Sequence, residues 1–440
     1  MGRLFGTDGV RGLAGNELSS ELAFALGRSA VVVLGPERGA APSFVVGRDP
    51  RESGELLEDA LVEGIRSAGG DVVLAGVVPT PAVAFLTVDL GAASGVVISA
   101  SHNPPEYNGI KFFGPSGTKL ADDIEDEIEA GLDRPASSTA TGSIVPAGDA
   151  VDRYLDHVAA AAEAPLDGMR VVVDCANGAA SAFAPEVLRR LGAQVEPIFD
   201  RPDGTNINVG CGALHPEVVT AAVVRAGADV GVAHDGDADR ALFSDAAGNV
   251  LDGDHVLAAC AIDLKELGRL PGGTVVTTVM ANLGFHRAME AAGITVVSAA
   301  VGDRYVLEEM QRTGAALGGE QSGHIVFAEH ASTGDGLLTA VRFLSLAARR
   351  GATVAELASA VRKFPQVLEN VTVSEPGAVV RSESVSLAVR AAEAALSGDG
   401  RVLVRPSGTE PLVRIMVEAS TEAAARAHTE AIASVVRAHG

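Results

Sequence analysis

Five short stretches of the chain gather side chains suited to phosphate and metal chemistry. In HDGDADR (234–240), Asp235, Asp237 and Asp239 alternate directly after an apolar run. Carboxylates packed this closely repel one another unless a cation lies between them. Hard oxygen donors at such density suit Mg²⁺, completed by phosphate or water oxygens. An EF-hand loop also begins D-x-D-x-D, but Arg240 and Ala246 stand where it needs Gly and Glu, which excludes it. The plain alternative is a solvated acidic turn, and the buried-strand pattern ahead of it argues for the metal.

The second stretch, RPSGTEPLVR (405–414), brings together Arg405, Ser407, Gly408, Thr409 and Arg414. Hydroxyls and backbone N–H groups around a glycine, flanked by two guanidiniums, form a phosphate cradle. It is not a Walker A loop, and a Ser-Gly turn with surface arginines is its bland reading. GGEQSGHI (318–325) offers Glu320, Ser322 and His324, a mix of acceptors and donors suited to sugar hydroxyls, although a packed turn explains it equally well. FGTDGVRG (5–12) places Arg11 among glycines, where it could stabilise charge on a transferring phosphoryl group or lie on the surface.

In GVVISASHNPPEYNGIKFF (95–113) an apolar strand runs into Ser101 and His102, with Lys111 beyond. Neighbouring side chains usually diverge, so His102 is expected to be a poor base for Ser101. No G-x-S-x-G elbow surrounds Ser101 or Ser322, which argues against a hydrolase triad. Phosphoryl transfer suits Ser101 better, with a metal neutralising the phosphate and Lys111 as charge stabiliser or proton shuttle. Lys111 is one of four lysines in a chain with thirty arginines, a hint that Arg could not serve there.

These loops need elements to hold them, and the chain supplies one unit three times. A helix end, turn and strand recurs as IRSAGGDVVLAG (65–76), LRRLGAQVEPIF (188–199) and MEAAGITVVSAA (289–300). Each has a glycine where a helix C-cap belongs, then a β-branched run. A second helical segment follows each, and then a strand running into VVISASHN, VGVAHDGDADR or ALGGEQSGHI. The expected modules span 1–145, 150–255 and 256–365, with RPASSTATGSIVPAG (134–148) as the clearest linker. From 366 to 440 the order strand, helix, strand–loop–strand, helix suggests a smaller α+β domain. In open α/β sheets ligands sit beyond the carboxyl ends of strands, so the four loops read as walls of one cleft.

Length and composition agree. A chain of 440 residues exceeds one average core. Net charge is −23 and no basic tract appears, which disfavours nucleic acid as a partner. No apolar run is long enough to span a membrane, and MGRLFGTDGVRG lacks a secretory layout. Cys175, Cys211 and Cys260 are odd in number, lack C-x-x-C spacing, and fit core residues in a reducing cytoplasm.

SASHNP around Ser101, DGDADR around Asp237, GEQSGH around Ser322 and RPSGTEP around Ser407, in this order, resemble the α-D-phosphohexomutase superfamily. FGTDGVRG, the alanine of DGDADR, VGDRYV (301–306) and Gln321 look like its bacterial phosphoglucosamine mutase branch. The resemblance implies an α/β fold: three similar mixed-sheet modules plus a smaller C-terminal α+β domain around a central cleft. It implies phosphoserine at Ser101 and Mg²⁺ held by that phosphate with Asp235, Asp237 and Asp239. Glucosamine 6-phosphate and glucosamine 1-phosphate would interconvert through glucosamine 1,6-bisphosphate, feeding amino-sugar and cell-wall precursor synthesis. Arg11, His102, Lys111 and Arg240 would line the transfer centre, and Glu320, Ser322, His324, Asp303 and Arg304 would contact the sugar. Arg405, Ser407, Gly408, Thr409 and Arg414 would hold the idle phosphate. A small sugar phosphate is then the partner, and monomer and homodimer both stay open. A phosphomannomutase/phosphoglucomutase of the same chemistry, and a silent sugar-phosphate binder, are the competing readings.

Overall fold

The computed structural model of the chain describes residues 3–6, 8–35, 41–134, 141–407 and 410–439. Its residues divide into two compact units, one of Met1–Met280 with Ile294–Ala360 and one of Ala281–Gly293 with Val361–Gly440.

The larger unit repeats a single strand motif. In the first sheet, Ser43–Arg48 pairs in parallel with Asp71–Val77 on one side and Ser94–Ile98 on the other, and Tyr107–Phe113 runs antiparallel beside the latter. The second sheet repeats this with Arg170–Asp174, Gln194–Ile198, Val230–His234 and Ala241–Asp245. The third does so with Thr274–Thr278, Thr295–Ala299, Leu317–Gly319 and Ile325–Phe327. Each crossover between parallel strands carries a helix, among them Gly54–Ser67, Thr80–Asp89, Pro216–Ala226 and Asp303–Thr313. The sheets are therefore mixed, as the resemblance implied.

The recurring glycines do the work expected of them. Gly69, Gly192 and Gly293 follow the helix ends Ala68, Leu191 and Ala292 with positive φ, a conformation costly for a residue with Cβ. Strands buried on both faces read as near-continuous apolar runs, and Ser94–Ile98 and Val230–His234 are buried at every position. Phe44, Val46, Val96, Ile98, Ile110 and Phe112 join Leu26, Leu57 and Leu61 from the covering helices in the first core.

One expectation needs correction. The 134–148 stretch is not linker throughout: Ile144–Pro146 forms an edge strand parallel to Asp71–Val77. Its β-branched pair Ile144-Val145 pays little to extend beside an open sheet edge, and Pro146 limits further pairing there. Residues 135–140 lie outside those described.

The smaller unit has an antiparallel sheet of Gln366–Thr372, Leu412–Ala419 and Gly400–Pro406 in that spatial order. Alternation along Leu412–Ala419 sends Val413, Ile415 and Val417 into a core with Val385, Leu396, Ile432 and Val436. On the other face, buried Glu418 accepts from Asn282 Nδ2 at 3.1 Å and Leu283 N–H at 2.9 Å. Helix Leu283–Ala291 is thereby tied to this unit, although its flanking strands lie in the third sheet.

All three cysteines are free and buried, and burial pushes the Cys211 and Cys260 thiols up to about 12, as core residues require. Among the described residues no helix is long and apolar enough to cross a membrane.

Candidate active site

The three chemical loops of the larger unit are equivalent places in the motif. Each joins the last parallel strand to its antiparallel neighbour: Ile98 to Tyr107, His234 to Ala241, and Gly319 to Ile325. The repeat thus delivers Ser101, the aspartates and Glu320-Ser322-His324 from the same end of three similar sheets.

Ser101 Oγ donates to Asp235 Oδ2 at 2.7 Å, across 134 residues of sequence. His102 Nδ1 lies 3.2 Å from the same oxygen. A hydroxyl has one proton, and with it on Asp235 the second contact is His102 Nδ1–H donating to Oγ. The two neighbouring side chains therefore converge, against expectation. The reason is the backbone: Ser101 has φ 50, in the left-handed region, which turns the chain between them. That conformation costs a residue with Cβ about 1–2 kcal/mol, so other contacts must hold it. Burial, then Arg240 and Arg11, push His102 down to about 4, which leaves it neutral near pH 7.

The metal loop is buried from Gly231 to Asp239. Donor oxygens of Asp235, Asp237 and Asp239 all lie within 4.8 Å of one another. His234 Nδ1–H donates to Arg240 O at 2.9 Å, and Arg240 N–H donates to Asp235 Oδ1 at 3.2 Å, closing the loop on itself. Gly236 is required, because a Cβ there would stand 2.6 Å from Ser101 O. Ala238 sits at φ 59, a place easier for glycine.

The chemistry of this donor set fits a divalent cation. Asp237 Oδ1 and Asp239 Oδ1 are buried with no hydrogen-bond partner. Burial and mutual repulsion raise Asp235 to about 6 and Asp237 well above the usual carboxylate range. For Asp239 burial acts the same way, but His324 and Arg240 outweigh it and hold the carboxyl low. The Arg240 Nε is 3.7 Å from Asp239 and 3.9 Å from Asp235, too far to satisfy either as a hydrogen bond. A buried negative cluster short of donors is what a small cation relieves.

Lys111 extends the charge pattern. Its Nζ is 2.9 Å from Asp8 and 3.6 Å from Asp303, and Lys119 reaches the same two aspartates at 3.3 and 3.6 Å. Burial disfavours the Lys111 ammonium, but Asp8, Asp303 and Asp239 outweigh burial and raise its proton affinity. Arg11, on the strand beside Lys111's own, is ion-paired with Asp8. Arg304 is turned elsewhere, to Asp122 and Glu308.

In the sugar loop, Ser322 Oγ is buried without a partner, and Glu320 Oε1 accepts from Gly302 N–H at 3.1 Å. Burial raises Glu320 above its ordinary value. His324 Nδ1 is 3.4 Å from Asp239 Oδ2, and Gly334 N–H donates to its Nε2 at 3.1 Å. Asp239, Asp303 and Glu320 overcome burial and pull His324 up to about 9. Gly334 is glycine because a Cβ would collide with that ring.

In the smaller unit, Arg405 and Arg414 are direct register partners on adjacent antiparallel strands. Like charges opposite each other destabilise a strand pair unless an anion sits between them. Burial and Arg414 hold Arg405 below its ordinary value, and Arg414 is paired with Glu410 at 3.0 Å. Ser407 Oγ accepts from Glu410 N–H at 3.3 Å. Gly408 and Thr409 lie outside the described residues.

Asp8, Lys119, Thr80, Asp49, Arg51 and Asn208 escaped the reading of the sequence. A signal existed for Lys119, since it shares one hairpin with Lys111 and lysines are scarce.

Four family models match the chain: Phosphoglucomutase/phosphomannomutase alpha/beta/alpha domain I over residues 2–138, domain II over 152–248 and domain III over 252–364, and the C-terminal domain over 352–435. A phosphoglucosamine mutase of Desulforamulus reducens is 52% identical over 443 residues, covering 99% of each chain. The crystal structure of a phosphoglucomutase/phosphomannomutase family protein from Burkholderia thailandensis superposes with TM-score 0.84 at 27% identity, covering 99% of this chain and 97% of that one. The fold is also that of Aspergillus fumigatus N-acetylphosphoglucosamine mutase, solved in complex with GlcNAc-6P and magnesium (TM-score 0.72, 18% identity, 99% and 96% covered). Likeness to the bacterial enzyme runs from end to end and passes through each of the loops that carry the chemistry, so the chain belongs to the phosphoglucosamine mutase family.

Proposed function

We propose that this chain interconverts glucosamine 6-phosphate and glucosamine 1-phosphate, with Ser101 Oγ as the phosphoryl carrier. The observation that supports this most directly is the 2.7 Å bond from Ser101 Oγ to Asp235, which sets the carrier oxygen at the rim of the carboxylate triad. In the working form Ser101 is a phosphoserine. O1 of glucosamine 6-phosphate attacks its phosphorus, the Oγ–P bond breaks, and glucosamine 1,6-bisphosphate forms. The bisphosphate turns over, Ser101 Oγ gives up its proton and attacks the phosphorus at O6, the O6–P bond breaks, O6 takes a proton, and glucosamine 1-phosphate leaves.

Asp235, Asp237, Asp239 and a phosphoserine oxygen would hold Mg²⁺, which when bound would offset charge on the moving phosphoryl group. The bare Oδ1 atoms of Asp237 and Asp239 suit that role, and the ion and sugar phosphate of the Aspergillus complex support the choice of ligands. Lys111, kept charged by Asp8 and Asp303, serves as charge stabiliser or proton shuttle for the transfer. Arg11 and Arg240 add positive charge around the transfer, and neutral His102 donates to Oγ. Ser322 and Glu320 receive the sugar hydroxyls, with His324 held behind them against Asp239 and with Asp303 and Arg304 at their flank. Arg405, Ser407, Gly408, Thr409 and Arg414 hold the phosphate that is not reacting, relieving the facing guanidiniums. The work is cytoplasmic, on a free sugar phosphate.

Purified protein given glucosamine 6-phosphate, Mg²⁺ and a trace of the bisphosphate should form glucosamine 1-phosphate, and Ser101→Ala should not. An undiminished yield from Ser101→Ala sinks the reading. Comparing kcat/KM on amino and hydroxyl sugars separates it from a broad phosphohexomutase.

A further inference from the structure

We propose that Arg51, Asp49 and Asn208 are positioning residues that hold the carrier serine in its left-handed pose through both phosphoryl transfers. The inference rests on Ser101 being the carrier, as proposed above.

Arg51 is fully buried, and its guanidinium spends every N–H on one loop and one carboxylate. Nε donates to Asp49 Oδ2 at 2.9 Å. One terminal nitrogen donates to Tyr107 O at 3.0 Å and to Pro104 O. The other donates to Ser101 O at 3.0 Å and Asn103 O at 2.8 Å. The side chain therefore reads the backbone of the serine loop from 101 to 107.

Its ion-pair partner holds the other side of Ser101. Ser99 Oγ–H donates to Asp49 Oδ2 at 2.6 Å, and Ser101 N–H donates to Ser99 Oγ at 2.9 Å. Both backbone polar groups of the serine thus end on a single buried Arg–Asp pair. Asn208 repeats the grip from the second module, its Nδ2 donating to Ser101 O at 2.9 Å and Asn103 O at 3.1 Å. Gly236 closes the floor beneath the same carbonyl.

A buried ion pair is weak evidence for stability, because apolar side chains often match or better it. The carrier oxygen must meet a phosphorus twice, in opposite directions, and a displacement of about 1 Å can cost roughly a hundredfold in rate. A loosened loop would also admit water to the phosphoserine. Water oxygen then bonds to phosphorus, the Oγ–P bond breaks, Oγ takes a proton to restore serine, and inorganic phosphate leaves.

The test compares wild type, Asn208→Ala and Arg51→Lys by kcat, KM for glucosamine 6-phosphate, phosphate released per turnover, and melting temperature. Asn208→Ala should lower kcat about tenfold with KM within about twofold, and raise phosphate release per turnover. Arg51→Lys keeps the charge opposite Asp49 but loses the fork, and should lower kcat about a hundredfold. Asn208→Ala decides the matter if Arg51→Lys does not fold. A folded Asn208→Ala with wild-type kcat, or one slowed with no rise in phosphate release, overturns the inference. A wild-type enzyme without turnover, or without phosphate on Ser101, overturns the carrier reading itself.

Discussion

Thr80 holds Asp237 twice. Its Oγ1–H donates to Asp237 Oδ2 at 2.6 Å, and its backbone N–H donates to Asp237 O at 2.9 Å, across 157 residues of sequence. The first residue of a helix in one module thereby orients a metal-loop carboxylate in the next. Groups that orient metal ligands typically matter by 10–100-fold in affinity. Thr80→Val keeps the shape and loses the donor, so the Mg²⁺ concentration for half-maximal activity should rise about tenfold, with Thr80→Ser near wild type. An unchanged Mg²⁺ titration would show that Thr80 serves packing alone.

Removing metal should expose the cost of the triad. Three buried carboxylates with too few donors repel one another, and replacing one relieves the others. In excess EDTA, Asp237→Asn should therefore melt a few degrees above wild type while its mutase activity is lost. If the variant melts lower in EDTA, the metal-free site carries no such repulsion.

Asp335 predicts a pH dependence of stability. It caps helix Gly336–Arg350, accepting from Leu338 N–H at 2.9 Å and from Tyr154 Oη–H at 3.1 Å. Burial raises it to about 6 despite these donors. Between its ordinary value and about 6 the folded state binds the extra proton, so stability falls as pH rises through this window. Asp335→Asn keeps one acceptor oxygen for the Leu338 N–H, turns an amide N–H towards the Tyr154 oxygen, and cannot titrate. Relative to wild type it should gain about 2 kcal/mol on going from pH 4 to pH 7, read from urea midpoints. A gain of the opposite sign would refute the burial argument.

The facing pair Arg405–Arg414 makes the cradle testable without turnover. Inorganic phosphate should raise the melting temperature of wild type more than chloride at equal ionic strength. Arg414→Gln should remove that difference and raise KM for the sugar phosphate by roughly tenfold or more, since a charge-assisted pair is worth about 1.5–3 kcal/mol. Equal stabilisation of variant and wild type by phosphate would move the anion site elsewhere.

The loops that carry reactive groups were legible because their signals are local. A glycine after a helix and a β-branched run recur within about a dozen residues, a second helix follows, and the strands ending at Ile98, His234 and Gly319 run into the reactive loops as expected. Three aspartates on alternate positions announce their own repulsion. The divergence expected of Ser101 and His102 failed because it assumes ordinary backbone, and φ 50 at Ser101 is held by contacts made elsewhere in the chain.

What this sequence settles by itself is the chemistry available and the repeated unit that presents it, since residue type and short-range spacing determine both. What only the tertiary structure decides is which groups do the holding. Asp49, Arg51, Thr80 and Asn208 sit in unremarkable stretches, and their meaning comes from partners 50 to 157 residues away. Hydrogen bonds act over about 3 Å of space whatever their distance along the chain, so no window of sequence contains them. The charge states follow the same rule: Lys111 and His102 depart from ordinary values because folding buries them beside charges that lie far from them in sequence.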